Sequence, residues 1–241
     1  MIEISDVSKS YNRGEVRAVD HLDLTVPPGE IFGFLGPNGA GKTTTIKMMV
    51  GLLKADSGAI RINGLDTRTH ALDCKAQISY VPENPATYDR LSGREYLEFM
   101  GDVYGVSRER RREIVTRWLE IFGLEKALNS QIRTYSHGMR QKIILLGALL
   151  PDTRVFILDE PMVGLDPRSA HHLKEIMRNH CDTGGTLFFS THVMEVAERI
   201  CDRIGIIHEG RLVACGSMEE LRRKSRDSAS LENIFLELTE S

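Results

Sequence analysis

A glycine-rich loop at residues 36–43 carries the clearest chemical signal in this chain. Its sequence, Gly-Pro-Asn-Gly-Ala-Gly-Lys-Thr, matches the G-x-x-x-x-G-K-[ST] pattern in full. Glycines let successive backbone N–H groups turn inward around a phosphate, lysine adds a positive charge, and the threonine hydroxyl is suited to ligate Mg²⁺. We therefore expect the loop and the residue after it to bind the phosphates of a nucleotide, through Gly36, Pro37, Asn38, Gly39, Ala40, Gly41, Lys42, Thr43 and Thr44.

Two carboxylates after a distant apolar run supply the second half of this chemistry. Asp159 and Glu160 close the run VFILDEP. An aspartate at the end of a buried strand can hold Mg²⁺ through water, and the glutamate beside it can orient and deprotonate the attacking water. Together with the loop, the two residues predict the hydrolysis of a nucleoside triphosphate that is bound with Mg²⁺.

The segments around both motifs are typical of an α/β fold. EIFGFLG, before the loop, is typical of a strand, and GKTTTIKMMVGLL is typical of a helix, with apolar residues at helical spacing. Helical stretches fill about residues 84–150, and strands and helices alternate after them. This pattern predicts a βα core that is interrupted by a helical insert.

The composition favours a soluble protein of the cytoplasm. The chain has 241 residues, with 31 Lys and Arg against 34 Asp and Glu, so its net charge of −3 provides no general attraction to nucleic acid. The densest apolar run, IILLGALL, is far shorter than the ~18 residues of a membrane span. Four cysteines without C-x-x-C spacing favour reduced thiols over disulfides or a zinc site.

Further motifs, taken in their order along the chain, resemble the ATP-binding subunit of an ABC transporter. Tyr11 in SKSYNRG stands where that family stacks an aromatic ring on adenine, and TYSHGMRQK stands at the position of the family's signature L-S-G-G-Q. LDEP closes the acidic strand, GLDP resembles the family's D-loop, and STH ends in the switch histidine, His192. The resemblance covers nearly the whole chain, and the order and spacing of all the motifs are more specific than any one of them.

The resemblance implies a fold and a division of the chain. The fold is a P-loop NTPase of the ABC ATPase type, with a RecA-like core, an N-terminal antiparallel β subdomain and a helical insert subdomain. We expect a single domain over the whole chain. Within it, a core lobe would comprise about 1–83 and 151–215, the helical insert about 84–150, and a C-terminal helical tail about 216–241.

The resemblance also implies roles for particular residues. Glu160 would activate the attacking water, and His192 would hydrogen-bond the γ-phosphate of ATP. Two subunits, identical or related, would sandwich two ATP molecules, so that Ser136 and the Gly138 N–H reach the ATP bound by the other subunit. Asp166 in the D-loop is a further candidate nucleotide-binding residue. One subunit alone would then lack a complete site.

Partners and location follow from the same resemblance. The chain would drive a separate integral membrane permease, which would select the substrate, and we expect no nucleic acid partner. The segment ASLENIFLELTE resembles the C-terminal helix of bacterial export-type subunits, so we expect export. The subunit would be cytoplasmic and peripheral at the inner face of the cell membrane. Its permease would dock in a groove lined by Asn84 to Leu91, with Tyr88 as the aromatic anchor.

Two positions depart from the family's pattern. His137 replaces the first of the two paired glycines in the signature. Glu83 in YVPEN replaces a glutamine that usually reaches Mg²⁺ and the attacking water, so we expect Glu83 to be a catalytic and metal-binding residue. A carboxylate can ligate Mg²⁺, but it cannot donate a hydrogen bond when it is ionised. Two alternatives stay open: Glu83 as a solvated loop residue, and Tyr11 as an ordinary edge-strand tyrosine.

Two other functions compete with transport. Soluble ABC-type ATPases that act on nucleic acid or on ribosomes carry a long coiled-coil insertion or two ATPase cassettes. This chain has a compact insert and one phosphate loop, which disfavours them. A nucleotide-binding regulatory module without turnover is the third possibility, and Glu160 argues against it because such a module has no need of a catalytic carboxylate.

Overall fold

The computed structural model describes residues 1–84, 88–224 and 230–239. The strands in this part of the chain are β1 Ile2–Tyr11, β2 Val16–Val26, β3 Ile31–Leu35, β4 Ser57–Ile62, β5 Leu65–Asp66, β6 Ile78–Val81, β7 Val155–Asp159, β8 Thr186–Thr191, β9 Arg203–His208 and β10 Arg211–Gly216. The α-helices are α1 Lys42–Met49, α2 Ala71–Ala76, α3 Gly93–Val103, α4 Arg108–Phe122, α5 His137–Leu149, α6 Pro167–Asp182, α7 Met194–Ile200, α8 Met218–Lys224 and α9 Leu231–Thr239.

The strands form two sheets of different type. The first sheet has the order β2-β1-β4-β5 and is antiparallel throughout. The second has the order β10-β9-β3-β8-β7-β6, in which β9 to β6 run parallel and the edge strand β10 is antiparallel to β9. Helices α3 to α5 lie between β6 and β7 in sequence. The predicted class, a parallel core with an antiparallel β subdomain and a helical insert, is confirmed.

The central strands are apolar on both faces because both faces of the parallel sheet are covered. Side chains along a strand point alternately to its two faces. In β7, Phe156 and Leu158 pack with the helical insert and α6, whereas Val155 and Ile157 pack with the antiparallel sheet and α1. The parallel sheet is therefore the middle layer of the molecule, and its strand ends are available to carry a site.

A tight hairpin with the dipeptide Asn63-Gly64 at its turn joins β4 to β5. Ile62 pairs with Leu65, and φ is +49° at Asn63 and +82° at Gly64. Two consecutive positive φ angles are what a two-residue turn between twisted strands requires, and asparagine and glycine tolerate them best.

Helix α5 is the buried centre of the helical insert. Ile143, Leu145 and Leu146 are buried in the cluster that joins the insert to the core sheet. A Cβ on Gly147 would lie 2.7 Å from Cε1 of Tyr96, so α3 and α5 pack closely at this point. This packing fixes α5 along its length and therefore fixes its first turn, which carries the signature residues.

The last helices of the chain cover a third apolar cluster. Leu35, the final residue of β3, is buried together with Leu221 of α8 and with Leu231 and Ile234 of α9. Since Leu35 directly precedes the phosphate loop, the end of the chain packs next to the element that leads into the loop.

Truncating Phe188 is expected to destabilise the fold strongly. Phe188 is fully buried in β8, and its ring centroid lies 5.7 Å from that of Phe32 and 5.3 Å from that of Phe34. Phe188→Ala should lower the free energy of unfolding by about 3–5 kcal/mol, measured by urea denaturation. Phe99→Ala is the matched control, because that ring is exposed, and it should cost less than about 1 kcal/mol. Equal losses in the two variants would contradict the assignment of Phe188 to the core.

Candidate active site

The phosphate loop follows β3 and leads into α1, where Gly41 is the residue before the helix. Gly41 has φ +110°, and a Cβ at this position would collide with the carbonyl oxygen of Ala18 in β2. Glycine is therefore required here both by the backbone conformation and by the close approach of β2. Gly210 N–H, next to β10, also donates to the Ala40 carbonyl at 3.0 Å, so the loop is supported from two sides.

Lys42 is buried inside the loop. Its Nζ donates hydrogen bonds to the carbonyl oxygens of Gly36 at 2.7 Å and Pro37 at 3.2 Å, and it lies 3.6 Å from Oε1 of Glu160. Lys42 and Glu160 are both only 6% exposed. The positive charge of the loop and the carboxylate after β7 thus face each other at short range, which makes their attraction stronger than it would be in water.

Asp159 and Glu160 are joined through Ser190. The Ser190 hydroxyl donates to Oδ1 of Asp159 at 2.5 Å and accepts a hydrogen bond from the backbone N–H of Glu160 at 3.0 Å. Asp159 pairs with Ser190 in the register of β7 and β8. Ser190 was not among the residues predicted from the sequence. The available signal was its place two residues before His192, but the bridge itself depends on strand register.

The oxygen atoms around Asp159 fit a magnesium ion. Oδ2 of Asp159 is buried and, among the described residues, has no hydrogen-bond partner, and Thr43 is near enough to the same carboxyl group to lower its pKa. Burial raises the pKa of Asp159, and the hydrogen bond from Ser190 together with the nearby Thr43 offsets part of that rise. A hard divalent cation takes carboxylate and hydroxyl oxygens, and its charge would stabilise the ionised carboxylate in this buried place.

Glu160 and His192 are in direct contact. Nδ1 of His192 lies 3.0 Å from Oε1 of Glu160, and the His192 side chain is half exposed. Glu160 has φ +49°, an uncommon conformation for a residue other than glycine, which the hydrogen bond from its N–H to Ser190 helps to hold. The structure therefore brings together the loop lysine, the two acidic residues and the switch histidine that the sequence predicted.

A cleft of about 280 Å³ opens at this place. Glu83 lies in its lining and is exposed to solvent. Gly36 and Ala40 of the loop are buried and do not line the cleft. A larger cavity of about 720 Å³ lies between α3 and α4, away from all of these residues. The lining of the cleft comprises Ala18, Pro37, Asn38, Gly39, Gly41, Lys42, Thr43, Thr44, Glu83 and Glu160.

Comparison with known proteins identifies the family. Residues 19–163 match the model of the ABC transporter family. The chain is 35% identical over 240 residues to the ABC-type transporter ATP-binding protein EcsA of Bacillus subtilis (strain 168), covering 99% of this chain and 96% of that protein. It is 40% identical over 220 residues to the Nod factor export ATP-binding protein I of Paraburkholderia xenovorans (strain LB400), covering 91% of this chain and 72% of that protein.

A solved structure gives the same result. The structure described as the ATP binding subunit of an ABC transporter superposes with a TM-score of 0.93 at 35% sequence identity, covering 99% of both chains. The chain belongs to the ABC transporter family. It is an ATP-binding and ATP-hydrolysing subunit, as the sequence predicts, and the alternative of an ATPase for nucleic acid or ribosomes finds no support in these relatives. Among the described residues of this ABC transporter subunit, no helix has the length and apolarity to cross a membrane.

The signature and D-loop residues that the resemblance assigns to nucleotide binding lie outside the cleft of their own subunit. Ser136 is exposed and caps α5 by accepting a hydrogen bond from the N–H of Met139 at 3.3 Å. Gly138 packs on the loop after Glu160. Asp166 caps α6 and accepts a hydrogen bond from Nζ of Lys142 at 2.6 Å. Their contact with nucleotide stays a prediction that concerns a second subunit.

Tyr11 lies at the end of β1, opposite Val16, and is 40% exposed. It is not part of the lining of the cleft. Its role in stacking on adenine in this ABC transporter subunit stays a prediction.

Glu83→Gln should change how ATP binding depends on Mg²⁺. The Glu83 carboxylate at the cleft is attracted by a bound cation and repelled by the γ-phosphate, so its net effect depends on the metal. The variant should bind metal-free ATP more tightly than the parent, while its affinity for Mg²⁺-ATP changes less or falls. Titrations of ATP with and without Mg²⁺ at constant ionic strength measure the difference. An equal metal dependence in both proteins would place Glu83 outside the coordination shell.

Proposed function

We propose that this ABC transporter subunit hydrolyses ATP with Glu160 as the general base and with Thr43 and Asp159 as the residues that hold Mg²⁺. The position of the Glu160 carboxylate supports this proposal. Its Oε1 lies 3.6 Å from Nζ of Lys42 and 3.0 Å from Nδ1 of His192, and Glu160 lines the cleft beside the phosphate loop. A base must lie within reach of a water that attacks the terminal phosphate. A carboxylate facing the loop lysine meets this requirement.

The parts of the loop have separate roles in this proposal. The backbone N–H groups of the loop and the N-terminus of α1 bind the phosphate oxygens, and Lys42 neutralises charge between the β- and γ-phosphates. Mg²⁺ supplies further neutralisation of the phosphate charge. His192 contacts the Glu160 carboxylate through Nδ1 and can exchange that contact for the γ-phosphate. Glu83, which also lines the cleft, is a candidate for a further metal contact.

A second subunit completes the site in this proposal. The N-terminus of α5 presents the exposed N-cap residue Ser136 and the backbone N–H groups of the first turn, which favour a phosphate. This turn does not line the cleft of its own chain. An identical or related subunit would receive it at the γ-phosphate, so that dimerisation and ATP binding support one another.

The permease would dock on an exposed aromatic surface, which we call the aromatic patch, formed by Tyr88 and Phe99. Their side chains are 48% and 41% exposed, and their ring centroids lie 5.3 Å apart. The buried Tyr96 ring lies 5.8 Å from Tyr88 and supports it from below. Of the predicted groove from Asn84 to Leu91, residues 85–87 lie outside the described part of the chain. Exposed aromatic rings on a rigid base are typical anchors of a protein interface.

Export by a separate membrane permease is the transport reaction that we favour. The relative from Paraburkholderia xenovorans is named for Nod factor export, and a further relative, from Streptomyces peucetius, for daunorubicin and doxorubicin resistance. The subunit would then work in the cytoplasm at the inner face of the membrane. The permease would determine which substrate moves.

Replacing Glu160 by glutamine should separate ATP binding from ATP hydrolysis. Glutamine keeps the shape of the side chain but cannot accept a proton, so Glu160→Gln should retain ATP affinity and lose turnover by roughly 10²–10⁴-fold. An ATP-bound dimer should accumulate, because closure precedes hydrolysis. Steady-state ATPase assays, equilibrium ATP binding and light scattering measure the three effects.

The control for this variant is Glu109→Gln, which makes the same chemical change on the exposed surface of α4. It should leave turnover and dimerisation unchanged. If Glu160→Gln kept near-normal turnover, another group would have to activate the water, and the proposed role of Glu160 would be wrong.

Removing an aromatic ring from the aromatic patch should weaken permease binding without affecting ATP. Tyr88→Ala and Phe99→Ala should each lower the yield of subunit that co-purifies with the co-expressed permease, while the Kd for ATP stays within about twofold of the parent. Leu72→Ala is the matched control, because it truncates an exposed apolar side chain on α2. A loss of ATP affinity with an intact complex would show that the docking surface lies elsewhere.

A further inference from the structure

The first turn of α5 crosses the loop that joins Glu160 to α6. A Cβ on Gly164 would lie 2.5 Å from Cδ2 and 3.1 Å from Nε2 of His137. A Cβ on Gly138 would lie 2.5 Å from the carbonyl oxygen of Gly164. Side chains essentially never have Cβ contacts below 3.0 Å, so both segments are in direct van der Waals contact at Gly164. The imidazole ring lies on the face of Gly164 where other residues have a side chain.

An ion pair joins the same two segments two residues further along the loop. Nζ of Lys142, five residues after His137 in α5, lies 2.6 Å from Oδ2 of Asp166. The hydrogen bond from Lys142, together with those from Ser169, holds the pKa of Asp166 well below its usual range. The Asp166 carboxylate is therefore charged at neutral pH.

The loop between Glu160 and Asp166 is short and internally hydrogen-bonded. The N–H of Val163 donates to the carbonyl of Glu160 at 3.2 Å, and the N–H of Leu165 donates to the carbonyl of Met162 at 3.3 Å. A shift of Gly164 relative to α5 must therefore be absorbed within a few residues of Glu160, whose backbone already has the uncommon φ of +49°.

We infer that His137 is a positioning residue for ATP hydrolysis: its ring holds the loop of residues 161–165 against α5, so that the first turn of α5 and Glu160 move together. The inference rests on the roles proposed above for Ser136 and Glu160. Where the family's pattern has glycine at this position, no side chain can make the contact. In this chain, a phosphate that is bound by a second subunit and contacts Ser136 would shift the first turn of α5. Through His137 and the loop, that shift would change the position of Glu160.

A double-mutant cycle at His137 and Gly164 tests the contact. His137→Gly should lower kcat about tenfold and leave KM and the Kd for ATP within about twofold, because the phosphate loop is untouched. Gly164→Ala should lower kcat at least tenfold in the parent, since its methyl group would push the exposed His137 ring off the loop. In the His137→Gly background the ring is absent, so Gly164→Ala should lower kcat only about threefold, from backbone strain alone.

Two further variants make the cycle specific. Gly184→Ala places a methyl group at a similar φ of +85°, where no atom of the described residues other than its chain neighbours lies within 4 Å. It therefore measures strain without collision and should leave kcat within about twofold. His137→Gln restores a flat polar side chain and should recover most of the lost kcat. If Gly164→Ala lowered kcat by the same factor in the parent and in His137→Gly, the ring would not position the loop, and the inference would be wrong.

A spectroscopic measurement covers the case in which a variant loses all activity. Val163 is exposed in the loop, so a spin label on Val163→Cys reports the motion of this segment. His137→Gly should make the label more mobile in electron paramagnetic resonance spectra, and His137→Gln should return it towards the parent. The protein without the added cysteine, treated with the same reagent, corrects for labelling of Cys201 and Cys215. Unchanged mobility in His137→Gly would also overturn the inference.

Glu160→Gln, measured beside the cycle, distinguishes the inference from the proposed function. If it abolishes turnover and the cycle shows no coupling, only the role of His137 fails. If it retains turnover while label mobility still responds to His137, the contact is real, but the proposed role of Glu160 fails and the inferred effect on hydrolysis fails with it.

Discussion

The site depends on three neighbouring parallel strands that end at the same level. Leu35, the last residue of β3, pairs with Thr191 of β8, and Ser190 pairs with Asp159 of β7. Parallel strands end at one edge of their sheet, and ligands of such sheets bind beyond that edge. The register places the phosphate loop, the serine bridge and the acidic pair side by side. A slip of one residue between β7 and β8 would place Ser190 on the opposite face from Asp159 and break the bridge.

Burial makes the contact between Lys42 and Glu160 matter for both stability and activity. Both side chains are almost completely removed from water, and a buried charge without its partner is costly. Removing one partner of such a pair typically destabilises a protein by about 3–5 kcal/mol, whereas the intact pair adds little net stability. The site thus maintains an electrostatic arrangement suited to phosphate chemistry, supported by the stability of the surrounding sheet.

Residues in continuous motifs could be predicted from the sequence, whereas contacts between distant segments could not. The phosphate loop, Asp159, Glu160 and His192 are visible because a short pattern fixes their chemistry. The Ser190 bridge requires the register of β7 and β8, and the contact of His137 with Gly164 requires the path of α5 past a loop. The departure at His137 is visible in the sequence, but its neighbour is not, because no local pattern encodes which backbone atoms will approach a side chain.

The burial of Leu35 beneath the last helices can couple the stability of the phosphate loop to the stability of α8 and α9. Local opening of α8 and α9 would expose Leu35 to water, and Leu35 directly precedes Gly36. Ligand binding stabilises every state in which its site is formed and none in which that site is lost. If the loop and the C-terminal helices open as one cooperative unit, ATP would slow amide hydrogen exchange in Leu231–Thr239, a segment whose residues do not line the cleft.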